Sequence, residues 1–98
     1  MTISAISHYR GGTLDEVEPL ARTLKAIYAK YNVEYRLSCF QTGPKKGDWF
    51  AVVTYADIEA YERALKVFSQ DAQLQEVFVG ISRFAERISR EMVTDLDL

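Results

Sequence analysis

The chain has 98 residues, and 14 acidic against 12 basic side chains leave a net charge of −2. That length allows one domain spanning residues 1–98 and excludes a second independent core. The near balance of charge excludes the basic face that nucleic acid or an anionic membrane surface would demand. Cys39 is the only cysteine and His8 the only histidine, so there is neither an internal disulfide nor a ligand spacing that would hold a metal. The opening MTISAISHYR has no basic stretch followed by an apolar run, so the expectation is a soluble cytoplasmic protein without a membrane span.

Alternation over Thr2–Tyr9 predicts a strand, with Ile3, Ala5, Ser7 and Tyr9 on one face and Ser4, Ile6, His8 and Arg10 on the other. Gly11-Gly12 ends it. Thr13 and Glu16 have the spacing of a capping box, and Val17, Leu20, Ala21, Leu24, Ile27, Tyr28 and Tyr31 form a helical stripe. Pro19 predicts a loose first turn that becomes regular only beyond it, and Asn32 a left-handed end. A second strand is predicted over Val33–Thr42, a loop over Gly43–Gly47, and a third strand over Asp48–Tyr55. Both faces of that third strand are apolar: Trp49, Ala51, Val53 and Tyr55 alternate with Phe50 and Val52. A strand of this kind is covered on both sides. Asp57 caps a second helical region carrying Ile58, Tyr61, Ala64, Leu65 and Phe68. Ser69-Gln70-Asp71 breaks that region, and Leu74, Val77, Phe78, Ile81, Phe84 and Ala85 continue the stripe. Ile88–Thr94 is predicted as the last strand.

The order β-α-β-β-α-β predicts an α+β, ferredoxin-like domain: a four-stranded antiparallel sheet with its helices on one face. The other face stays open and apolar whichever row of the third strand the helices cover. Either Trp49, Ala51, Val53 and Tyr55 lie bare with Ile6 and Phe40, or Phe50 and Val52 do. A second copy of the chain is the simplest cover by symmetry, which predicts a homodimer.

Three segments resemble the dimeric α+β barrel superfamily, in particular its NIPSNAP-like and antibiotic-biosynthesis-monooxygenase-like branches. Gly11-Gly12-Thr13-Leu14-Asp15-Glu16 is similar to the Pro-Gly-x-x-x-Glu turn and helix start of that superfamily. Asp57-Ile58-Glu59-Ala60-Tyr61 follows a Trp/Tyr-bearing strand in the same way, and Ser69–Gln75 is similar to its mid-helix break. Gly11 and Ala72 stand where proline is usual, and Leu74 where an aromatic is usual. The resemblance implies a dimeric barrel and a cofactor-independent enzyme, monooxygenase- or isomerase-like, acting on an aromatic or polyketide-like substrate.

Within that frame His8 is the candidate for proton transfer, since its ordinary pKa is near neutrality. Arg36 and Arg10 are candidates to hold a carboxylate or an enolate, Arg36 in a catalytic role and Arg10 in substrate binding. Phe40, Trp49 and Tyr55 are candidate walls of an aromatic site. Each has a plainer reading: a hydrogen-bonded strand histidine, arginines paired across a dimer, and aromatics that are simply dimer core. The competing functions are a ligand-binding module without turnover and a structural homodimer. Self-association and a small-molecule ligand are the expected partnerships, with no metal or organic cofactor.

Overall fold

The computed structural model describes all 98 residues. Its elements in chain order are β1 (Ile3–Arg10), α1 (Leu14–Lys30), β2 (Glu34–Cys39), β3 (Trp49–Tyr55), α2 (Ile58–Phe68), α3 (Ala72–Ser82) and β4 (Glu86–Thr94). The strands form one antiparallel sheet in the order β2-β3-β1-β4, the ferredoxin-like arrangement. The helices lie on one side, and the core is built between them and the sheet from Ala5, Leu24, Ile27, Tyr28, Val33, Tyr55, Ala64, Phe68, Leu74 and Val77.

Helix α1 starts where its capping signals stand. The Thr13 hydroxyl accepts from the Glu16 amide, and the Glu16 carboxylate accepts from the Thr13 amide at 2.9 Å. The helix is regular through Pro19, contrary to the loose first turn expected of it. The amide that proline removes would have bonded to the carbonyl of Asp15, an exposed first-turn residue, so water can take its place. Asn32 adopts φ 57° just beyond the helix, as its position suggested.

The break at Ser69–Asp71 is complete, and α2 and α3 are separate helices. Asp71 caps α3 by accepting from the Leu74 amide at 2.9 Å, and it also accepts from the Tyr31 hydroxyl at 2.6 Å. That second bond ties α3 to the end of α1. Strand β2 is shorter than the Val33–Thr42 expectation: the Phe40 amide still donates to the Asp48 carbonyl in register, but the Phe40 carbonyl accepts from Gly47 while the Asp48 amide turns to Lys45, closing the loop. Strand β4 begins earlier than expected, since Arg10 pairs with Glu86 and Tyr9 with Arg87.

The β1–β4 ladder carries one irregularity with consequences for the site. His8 pairs with Ser89 but Tyr9 pairs with Arg87, leaving Ile88 as the extra residue of a β-bulge. In an unbroken strand, residues 87 and 90 would point to opposite faces. The bulge restores Arg87 to the side on which Arg90, paired with Ser7, already lies.

Leu74 is fully enclosed, with 0% exposure, where α3 meets the core. Leu74→Ala removes that contact and leaves a cavity, so chemical denaturation will show a loss of about 2–5 kcal/mol. A loss below about 1 kcal/mol would mean that α3 is not docked as described.

Candidate functional site

Of the two ways the sheet could face its helices, the molecule takes the one that covers the Trp49 row. Ala5, Ser7 and Tyr9 of β1, Tyr35 and Leu37 of β2, and Trp49, Ala51, Val53 and Tyr55 of β3 all turn toward the helices. Packing between them and the helices is incomplete. A cavity of about 340 Å³ remains, and 18 of its 23 lining residues are hydrophobic. Protein interiors rarely leave voids much larger than a water molecule, and this volume falls in the range of small-ligand sites, roughly 300–1,000 Å³.

The floor of the cavity is made of small residues. Ser7 and Ala51 are paired in register, and Ala5 pairs with Val53 beside them. Its walls are aromatic. Trp49 is held by a hydrogen bond from its indole Nε1 to the Gly11 carbonyl at 3.2 Å. Phe84 packs on the neighbouring glycine: a Cβ added to Gly12 would lie 2.7 Å from its ring. Gly11 and Gly12 have φ +102° and +81°, so the turn they form is open to glycine and strained for other residues. The paired glycines thus fix two walls of the cavity at once.

Three tyrosines give the cavity a polar side. Tyr28 and Tyr55 are 5% and 4% exposed, and Tyr35 is half-buried against the Tyr28 ring, with centroids 5.5 Å apart. Burial pushes the phenols of Tyr28, Tyr35 and Tyr55 above their ordinary value, so all three remain protonated donors. Their hydroxyls have no hydrogen-bond partner in the chain, whereas every fully enclosed polar side-chain atom has one. They therefore border the open space of the cavity. Arg90 stands close enough to Tyr28 and Tyr55 to draw both phenols back toward the ionised form.

Arg87 and Arg90 line the cavity, and no Asp, Glu or His does. The ion pairs of the chain lie elsewhere, at His8–Asp48, Arg10–Asp48 and Glu18–Arg22. Both arginines are exposed residues, so they bring two guanidiniums without an acidic partner to an otherwise apolar lining, the donor chemistry that pairs with an anion.

The residues singled out in the sequence do not gather in one place. Trp49 and Tyr55 line the cavity. His8, Arg10, Arg36 and Phe40 belong to the opposite, open face of the sheet, in one row with Ile6, Phe50 and Val52. There the His8 Nε2–H donates to Asp48 Oδ2 at 2.7 Å, its ring meets Phe40 edge-on, and Phe40 lies 4.9 Å from Phe50. Arg10 adds a longer contact to Asp48 at 3.4 Å, and Arg36 is exposed. The sheet itself separates the histidine from the aromatic cavity. Tyr28, Tyr35, Phe84, Arg87 and Arg90 were missed in the sequence. The tyrosines and Phe84 read as ordinary core, and the one available signal was a pair of arginines in an otherwise strand-like apolar segment.

Comparison with solved structures places the fold beside enzymes and proteins of unknown function. SnoaB, a cofactor-independent oxygenase from Streptomyces nogalater, is 13% identical with a TM-score of 0.72, over 99% of this chain and 95% of that one. A conserved protein of unknown function from Bacteroides thetaiotaomicron, a possible oxidoreductase, is 17% identical with a TM-score of 0.67, over 94% and 95% of the two chains. A dimeric protein of unknown function with a ferredoxin-like fold, from Bacteroides fragilis, is 10% identical with a TM-score of 0.57, over 94% and 92%. The chain shares the fold of these proteins. No protein-family model matches it, and no curated protein matches it in sequence. No helix is long and apolar enough to cross a membrane.

The hydrogen bond from His8, aided by Arg10, holds the Asp48 carboxyl below the usual carboxylate range. A depressed native pKa adds stability above the unfolded-state value, near 3.8, and that stability is lost as pH falls through the lower native value. Thermal denaturation below about pH 4 will therefore show a steep acid loss in the wild type and a shallower one in Asp48→Asn. Identical acid slopes would mean that the His8–Asp48 bond does not persist in solution.

Proposed function

We propose that the chain is a cofactor-independent oxygenase that binds a flat, electron-rich phenol between sheet and helices and exposes its anion to dioxygen. The observation that carries this reading is an aromatic-walled cavity containing two guanidiniums, protonated phenols and no carboxylate or imidazole. The fold shared with SnoaB, itself a cofactor-independent oxygenase, supports the same class of chemistry.

In this mechanism no side chain of the cavity serves as a general base. The phenol gives its proton to water, and the Arg90 guanidinium favours the resulting phenolate. Tyr28 and Tyr55 donate hydrogen bonds to the same oxygen or to a second carbonyl of the substrate. Dioxygen then forms a C–O bond at the ring carbon para to the phenolate oxygen. Loss of that carbon's hydrogen as a proton breaks the O–O bond. One oxygen stays as a quinone carbonyl and the other leaves as water after taking up protons. Phenol and dioxygen thus give quinone and water: the substrate loses four electrons and dioxygen gains them. The protein orients the ring, stabilises charge and excludes bulk water.

This reading moves the charge-stabilising role from His8 and Arg36 to Arg90. Arg90→Gln will lower oxygen consumption with a naphthol-type substrate about a hundredfold to a thousandfold, with little change in melting temperature. His8→Gln will keep turnover within a few fold. Loss of turnover in His8→Gln alone would shift the chemistry to the open face and overturn the assignment.

The open face carries a second part of the proposal. Ile6, Phe40, Phe50 and Val52 form a half-buried apolar patch there, and the structurally similar Bacteroides fragilis protein is dimeric. Two copies of the chain associate through this patch, sheet against sheet. Sedimentation will show a dimer at micromolar concentration, and Phe50→Asp will show a folded monomer. A monomeric wild type would remove this part and leave the cavity untouched.

A further inference from the structure

Beside the main cavity lies a smaller annex of about 200 Å³, lined by Tyr9, Phe78, Ile81, Ser82, Ala85 and Arg87. All of these except Ser82 also line the main cavity, so the two spaces are continuous. The annex holds one charged side chain and no acidic one. Its Ser82 hydroxyl is engaged with the Val79 carbonyl at 2.7 Å, which leaves Arg87 as the dominant polar feature. Arg87 is there because of the bulge: without Ile88 as an extra residue, alternation from Arg90 would send residue 87 to the open face. Without the bulge, residue 87 would stand opposite Arg10 on the open face, one guanidinium against another; in the annex no other charged side chain stands beside Arg87.

We propose that the annex is a carboxylate subsite and that the ligand is therefore an aromatic acid, its ring system in the main cavity and its carboxylate on Arg87. The inference rests on the oxygenase reading for the ring-binding cavity and adds to it the second functional group of the substrate. Arg90 and Arg87 then divide the work. Arg90 faces the oxygen that becomes anionic during reaction, next to Tyr28 and Tyr55. Arg87 holds a group that is anionic throughout and so fixes which end of the ring system enters first. A guanidinium and a carboxylate pair through two parallel hydrogen bonds, which sets orientation as well as affinity.

Calorimetric titration with 1-naphthol and with 5-hydroxy-1-naphthoate, which differ by one carboxylate, tests this. The wild type should bind the acid at least about tenfold more tightly, the worth of one charge-assisted pair. Arg87→Gln should reduce that preference to within about twofold, and Arg87→Lys should restore part of it. Arg87 is exposed, so these variants should keep the wild-type melting temperature. Equal affinity for the two ligands in the wild type, or a preference that survives in Arg87→Gln, would overturn the carboxylate subsite alone. Failure of both ligands to bind would overturn the oxygenase reading together with it.

Discussion

Small side chains at the centre of the sheet set the separation of the two layers. Ser7, Ala5 and Ala51 are buried there but too small to fill the layer between sheet and helices, and the large rings around them line the space that is left. Tyr28 against Phe68, and Tyr55 against Tyr61, pack at centroid distances of 5.2 and 5.0 Å and are the struts of that arrangement. A core that filled this space with leucine would gain burial and lose the cavity. The molecule keeps the void, and the hydroxyls of Tyr28, Tyr35 and Tyr55 border it.

The same sheet separates two kinds of polar chemistry. On the open face, charge is internally neutralised: Asp48 answers both His8 and Arg10. On the helix side, Arg87 and Arg90 have no acidic partner, and the phenols of Tyr28 and Tyr55 near Arg90 stay protonated. The proposed site follows that difference rather than the identity of any single residue.

Much of the fold was legible in the chain because it is written in local signals. The capping box of Thr13 and Glu16, the caps at Asp57 and Asp71, and the two apolar rows of β3 each have a short-range physical cause. The choice of row was not legible, since Trp49, Ala51, Val53 and Tyr55 are no more apolar than a helix layer needs and Phe50 with Val52 no less. The site was less legible still. His8 drew attention through its ordinary titration range, but a long-range partner, Asp48, already occupies it. Arg87 could not be placed by alternation at all, because a bulge is a property of two paired strands and not of one segment. Tyr28 and Tyr35 look like core in any helical or strand stripe, and only the unfilled space beside them distinguishes them.

Strand β4 is an outer strand of the sheet, nearly all of it exposed, and one of its long sides has no neighbour. Such a margin invites further strands to add on, the first step toward fibrous aggregation. Here the irregular spacing at Ile88 kinks the hydrogen-bonding line, and Glu86, Arg87, Arg90 and Glu91 place charges of both signs along it. An incoming strand would have to match both the kink and the charges. The device that turns an arginine inward therefore also guards the chain's own rim against runaway self-templating.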